Sequence, residues 1–173
     1  KVSKERIAVE LWKLLASEHP EKVEMLFSTG LSPYITRDFP KIGEAGIPIL
    51  IPEAPKEKIL RFGLFLRNVP IYAVKILREL KLDRMTIDGA SRFAKLFSEN
   101  EVENPYALRK RIASDGMKMT RDFYAMQEAI LKKKENTESD RIYLAVLQER
   151  VEWLKEIEKR QDLAYFPALY QYK

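Results

Sequence analysis

Apolar residues in this chain return every three or four positions in one segment after another, and that spacing commits it to helices. Ile7, Leu11, Leu14 and Leu15 form the first such face. Val74, Ile76, Leu77 and Leu80 form another, and Leu144, Leu147, Val151, Leu154 and Ile157 make the longest stripe. Helix boundary signals agree with the spacing. Ser3 is placed to cap the first helix, with Glu5 in the turn where the helix dipole favours an anion. Pro20 can open a short helix and Gly30 close it, and a third short element carries Leu31, Tyr34 and Ile35. Further along, Pro70 opens a helix and Thr86 is expected to cap the next, which runs through Ile87, Phe93 and Leu96. Asn104-Pro105 starts another that Gly116 ends, Lys118 to Lys134 form one more, and Thr137 begins the last.

One stretch breaks the pattern. Between Phe39 and Pro55 stand four prolines and two glycines around the apolar run Ile47 to Ile51, which holds the only hint of strand alternation. Proline at that density stops helices, so 39–55 reads as an ordered, partly buried loop and a boundary between subdomains. The expectation is an all-α, irregular multi-helix bundle. Its parts are a helical segment 1–38, the connection 39–55, a helical body 56–160 and a C-terminal segment 161–173. Only six glycines in 173 residues fit that class.

Composition narrows the chemistry. With no cysteine, disulfides, zinc fingers and thiol nucleophiles are excluded, and a reducing, cytoplasmic setting is expected. No apolar run approaches the ~20 residues that a bilayer crossing needs, so no membrane partner is expected. A chain that starts at Lys1 rather than Met is expected to be a piece of a longer one. His19, the single histidine, precedes Pro20 at a helix junction and reads as a solvated or capping residue. There is no glycine-rich phosphate loop and no isolated acidic pair in an apolar setting. Glu99, Glu101 and Glu103 read as a solvated acidic loop. No catalytic residue, no metal ligand and no cofactor site is assigned.

Against that background the opening, KVSKERIAVELWKLLASEHPEKVEMLFSTGLSPYI, carries a resemblance. Ser3, Glu5-Arg6-Ile7, Glu10-Leu11, Lys13-Leu14-Leu15 and Thr29-Gly30-Leu31 follow one another as in the neck of the class II tRNA nucleotidyltransferase and bacterial poly(A) polymerase family. ILRFGLFLRN, AVKILRELKLDRMTID and YALRKRIASDGMKMTRDFYAMQEAILKKK resemble the family's body. Where some members end a helix in His-Asp, this sequence has Arg67-Asn68. DLAYFPALYQYK does not match the family's tail. The resemblance implies a helical neck and body that bind tRNA or other RNA. It also implies that the catalytic head, with its Asp-x-Asp pair, its Mg2+ ions and its nucleotide-selecting Glu-Asp-x-x-Arg motif, lies upstream. These residues alone are then expected to be inactive. CCA addition and poly(A) synthesis both use this architecture, and the choice between them stays open.

The RNA-binding candidates follow from charge. The chain carries a net +5, and from Pro105 to Lys134 eight basic residues face three acidic ones, which is again +5. Arg109, Lys110, Arg111, Lys118 and Arg121 are the assigned contacts, together with Arg92 and Lys95 from a second basic group that includes Lys81 and Arg84. Phosphate contacts of this type give affinity without sequence preference. Gly116, between two helices, is expected to leave backbone N–H groups for phosphate. Phe62, Phe65, Phe93, Phe97 and Phe123 read as packing residues, as do Trp12 and Trp153, and Tyr106 and Tyr124 as half-buried. The competing expectation is a helical protein-interaction domain whose basic face is incidental. A His-Asp phosphohydrolase is excluded by the histidine count.

Overall fold

A computed structural model describes residues 2–134 and 137–171, with side chains up to Arg160. Among the described residues there are ten α-helices and no strand. They fall into two compact units, Lys1–Glu99 and Asn100–Lys173.

The first unit begins with α1 (Lys4–Leu15), capped by the Ser3 side chain, which accepts the Arg6 N–H. A 3₁₀ turn (Pro20–Glu24) follows, then the short helices α2 (Met25–Ser28) and α3 (Ser32–Ile35). Gly30 sits between those two at φ 77°, a conformation that glycine adopts without strain. Next come α4 (Pro40–Ala45), α5 (Lys58–Leu66), α6 (Pro70–Glu79) and α7 (Arg84–Leu96). The 39–55 stretch therefore holds a helix at its start. Pro40 occupies the first turn of α4, where its missing N–H would have had no partner anyway. The Ile47–Ile51 run forms no strand. The whole stretch lies inside the first unit, and the division between compact units falls at Glu99/Asn100.

Helix α5 is buried on every side from Leu60 to Leu66, which makes it the axis of this unit. A Cβ on Gly63 would come within 2.7 Å of the Phe93 ring and 3.1 Å of the Ala90 carbonyl on α7. The close crossing of α5 and α7 therefore needs glycine at that position. Around α5 the rings of Trp12 and Phe62 stack at 5.9 Å, and Phe39 bridges Phe27 and Phe65 at 5.3 and 5.8 Å. Burying each large apolar side chain of this kind stabilises the fold by about 1.5–3 kcal/mol.

A buried cation ties the proline-rich stretch to that core. Arg61, on α5, is 4% exposed, and its guanidinium donates to the carbonyls of Leu15, Pro52, Ala54 and Pro55. Loss of hydration pulls its pKa down from the ordinary arginine value. Four carbonyls at a helix end and in the proline-rich stretch thus each find a donor in one side chain, and that of Pro55 also accepts the Glu57 N–H. Helix α6 ends in a Schellman arrangement: Leu82 N–H donates to the Leu77 carbonyl and Lys81 N–H to that of Arg78. Lys81 takes the left-handed position, φ 59°, that glycine usually fills. The cap of α7 is Asp83 rather than Thr86. Asp83 accepts the Thr86 N–H at 3.0 Å and its hydroxyl at 2.7 Å, and Thr86 is buried in the first turn. Those two bonds hold the Asp83 carboxyl below its ordinary pKa.

The second unit consists of α8 (Pro105–Asp115), α9 (Met117–Lys133) and α10 (Glu138–Gln171). Asn104 caps α8 by accepting the Ala107 N–H. Thr137 and Asp140 cap α10 reciprocally, each side chain accepting the other's N–H. Leu108 and Ile112 of α8, Phe123, Met126 and Ile130 of α9, and Leu147, Leu154 and Ile157 of α10 form its apolar interior. The side chains of Tyr165, Phe166 and Tyr170, and the whole of Tyr172, lie outside the described residues.

Candidate nucleic-acid interface

The basic residues of 105–134 do not form one open face. Arg109 and Lys110 are exposed on α8, and Lys110 lies 4.9 Å from the centre of the Tyr106 ring. Tyr106 itself is 64% exposed, not half-buried. Arg111 turns inward: it donates to the Asn100 carbonyl and sits over the Phe123 ring at 5.8 Å. On α9, Lys118 pairs with Asp122 at 2.7 Å and Arg121 pairs with Glu158 of α10 at 2.7 Å. Lys132 pairs with Glu128 at 2.8 Å. The N–H of Gly116 is taken by the Ile112 carbonyl, so that donor does not point at solvent anions.

In the first unit, Arg92 makes a two-pronged ion pair with Glu99, at 2.8 and 3.1 Å. Lys81 pairs with Glu5 and Arg84 with Asp88. Lys95 is exposed and has no carboxylate partner among the described residues. Of the seven assigned residues, Arg109, Lys110 and Lys95 therefore keep their charge open to solvent. The other four are engaged within the protein.

The acidic residues ahead of α8 also differ from expectation. Glu103 is exposed, but Glu101 is the centre of a half-buried network. It accepts from the hydroxyls of Tyr124 (3.5 Å) and Tyr143 (3.3 Å) and lies 3.7 Å from the Arg150 guanidinium. Arg150 donates twice to the Val102 carbonyl, at 2.7 and 3.1 Å, and stacks on Trp153 at 4.5 Å. Tyr124 is 1% exposed, and burial, with the Glu101 charge second, pushes its pKa up to about 12. Burial raises Tyr143 in the same direction. This network ties the 100–103 segment to α9 and α10, and alternating Glu in the sequence carried no sign of it.

Three cations that charge counting missed come together in the first unit. Arg37, Lys75 and Arg78 line an open cleft of about 500 Å³ with Asp38 and Glu79. Glu79 accepts the Arg37 backbone N–H and pairs with Lys4 at 3.7 Å, so its charge is already met. No carboxylate among the described residues pairs with the Arg37, Lys75 or Arg78 side chains. Lys75 and Arg78, three positions apart on α6, were legible as neighbours. Arg37 reaches them only through the fold.

His19 is exposed, with Nδ1 3.0 Å from a Glu21 carboxylate oxygen, and it supplies no side-chain cap. Arg67, in the position that the resemblance aligns with histidine, is half-buried and donates to the Leu64 carbonyl. Burial lowers its pKa to about 10. Asn68 donates to the Gly46 carbonyl. Among the described residues no group of three acidic or histidine side chains could hold a metal ion. None of the described helices is long and apolar enough to cross a membrane.

These geometries can be set beside known proteins. Residues 1–42 match the family model described as the probable RNA and SrmB-binding site of polymerase A. The matched segment runs from α1 into α4 and ends five residues past Arg37, on the cleft. Over that segment the chain is similar to poly(A) polymerases in their RNA-binding region. No curated protein and no solved structure gives a significant match to the chain.

Proposed function

We propose that these residues are an RNA-binding helical module of a nucleotide-adding polymerase, and that tRNA is its ligand. The match of residues 1–42 to an RNA-binding family carries this proposal. The open cations at Arg109, Lys110 and Lys95, with those of the α6 cleft, supply phosphate contacts that no internal carboxylate cancels. Nucleotide transfer, with its magnesium ions, is assigned to a catalytic part of the protein beyond these 173 residues.

A tRNA titration at low and moderate salt tests the proposal. Affinity should fall steeply with salt and depend little on tRNA sequence. Reversing Arg109 and Lys110 to Glu should weaken binding while the fold persists, since both side chains are solvated. Arg111 is left out of that variant because it is packed against Phe123. Absence of binding at low salt by folded protein would remove the proposal. One observation favours the second possibility, a docking site for a partner protein. Met25, Leu31 and Tyr34 are 58%, 51% and 76% exposed within the matched segment, whose family description names SrmB beside RNA.

A further inference from the structure

The α6 cleft is one end of a longer groove. Residues 37–46 run antiparallel to 68–79 and are joined to them at three levels. At one end the Arg37 N–H meets Glu79, in the middle Lys41 lies over the Tyr72 ring at 5.9 Å, and at the other end Asn68 donates to the Gly46 carbonyl at 2.9 Å. Above the lower two levels lies a second open cleft of about 440 Å³, lined by Lys41, Glu44, Asn68, Pro70, Ile71 and Tyr72 among others. One end of the groove is therefore cationic and the other apolar and aromatic. Ile71 is 80% exposed there.

The charge along the groove is not balanced from within. Lys41 pairs with Glu44 at 3.3 Å, which raises its pKa, and Lys4 pairs with Glu79. That leaves Arg37, Lys75 and Arg78 against the single carboxylate of Asp38. Lys75 and Arg78 are like charges three positions apart on one helix, an arrangement that is mildly destabilising unless an anion lies between them. From Ile71 to Arg78 the helix advances roughly 10 Å at 1.5 Å per residue. That length spans about three nucleotides stacked at ~3.4 Å. A row of free cations leading to an aromatic and aliphatic platform is how single strands are held without sequence preference, and here the platform is the exposed Ile71 with the half-buried Tyr72 beside it.

We infer that the groove between residues 37–46 and α6 binds single-stranded RNA, with phosphates on Arg37, Lys75 and Arg78 and a base against Tyr72 and Ile71. This deepens the RNA-binding function proposed above and rests on it. An acidic protein segment would satisfy the cations but gains nothing from the ring. Duplex RNA cannot present a base face to Tyr72.

The test is fluorescence anisotropy with a labelled oligoadenylate, an abasic oligomer of the same length, an RNA duplex and polyglutamate. The protein variants are the triple Arg37→Gln, Lys75→Gln, Arg78→Gln and, separately, Tyr72→Leu and Asp38→Asn. The three cations make no internal ion pairs, so the triple variant should melt as wild type does. Wild type should bind oligoadenylate best, and its log–log salt slope should exceed that of the triple variant by about 2. Between about 50 and 200 mM salt that is roughly a twentyfold larger loss of affinity. Tyr72→Leu should weaken oligoadenylate at least about fivefold and the abasic oligomer hardly at all. Asp38→Asn should tighten both. If wild type binds RNA and the triple variant binds it equally well, the groove is overturned while RNA binding stands. If wild type binds no RNA, both fall. Equal affinity for polyglutamate or for the duplex overturns the single-strand assignment.

Discussion

The two units treat their charged residues in opposite ways. In the first, 17 basic residues face 13 acidic ones, leaving +4 (residues 1–99). Three of those cations converge on a cleft without partners, while Arg61 is withdrawn into the interior. In the second, 14 basic residues face 13 acidic ones, leaving only +1 (residues 100–173). There the cations of Pro105–Lys134 are answered from inside the stretch and beyond it, as Asp122 answers Lys118, Glu128 answers Lys132 and Glu158 answers Arg121. A run of cations along the chain thus says where positive charge is synthesised. Whether it stays available depends on what the fold brings opposite it.

The largest effect expected from this contrast is on stability. Arg61→Met removes the guanidinium donor from four carbonyls, of which those of Leu15 and Ala54 are met in buried bonds, and should cost on the order of 3 kcal/mol. Arg150→Met, which serves the Val102 carbonyl and lies nearer solvent, should cost about half as much. Trp12 and Trp153 report one unit each, so urea unfolding followed in Trp153→Phe and Trp12→Phe backgrounds separates the two. A smaller loss for Arg61→Met than for Arg150→Met would reverse the contrast in how deeply each unit commits a cation.

Next in size is a pH effect confined to the second unit's network. Tyr124 has a folded pKa raised to about 12, against an ordinary value of 10.0. Its neutral form is the one the fold accepts, so the stability it contributes is complete below pH 10. It is lost as pH rises from 10 to 12, because the unfolded chain ionises first. A shift of that size corresponds to about 2–3 kcal/mol. Tyr143 is raised in the same direction. Unfolding followed through Trp153 should show the midpoint falling over that window, and Tyr124→Phe should flatten the fall. An unchanged slope in Tyr124→Phe would place the alkaline sensitivity elsewhere.

The same contrast explains what could be read from sequence. Helix spacing, the caps at Ser3 and Asn104, and the glycine ends at Gly30 and Gly116 are local signals, and all four are present in the fold. Asp83 and Thr86 are both capping residue types three positions apart, and only the hydrogen bonds show which accepts. The end of α6 carried no glycine, since Lys81 takes the left-handed position. Arg61 carries no sequence signal of its burial, because nothing local says that proline-rich carbonyls will close over it. Of the candidate site, Lys75 and Arg78 were adjacent on one helix face, but Arg37 joins them from 38 positions away. Glu101 failed for the same reason, as Tyr143 and Arg150 lie 42 and 49 positions on.

The smallest expected effect bears most directly on whether pairing, rather than position, keeps a cation from RNA. Glu158→Gln removes the partner of Arg121 at a half-exposed pair, so stability should change by less than about 1 kcal/mol. Arg121 then stands as an uncompensated charge on α9, in the same basic stretch as Arg109 and Lys110. One additional phosphate contact should steepen the salt slope for tRNA by roughly 0.7–0.9 and tighten binding modestly at low salt. Charge reversal in the double variant Glu158→Gln, Arg121→Glu should undo the gain, which separates a freed cation from the mere loss of an acidic residue. If Glu158→Gln leaves both affinity and slope at the wild-type values, the α9 face does not meet RNA even when its charge is open. Contact would then lie with Arg109 and Lys110 or with the groove of the first unit.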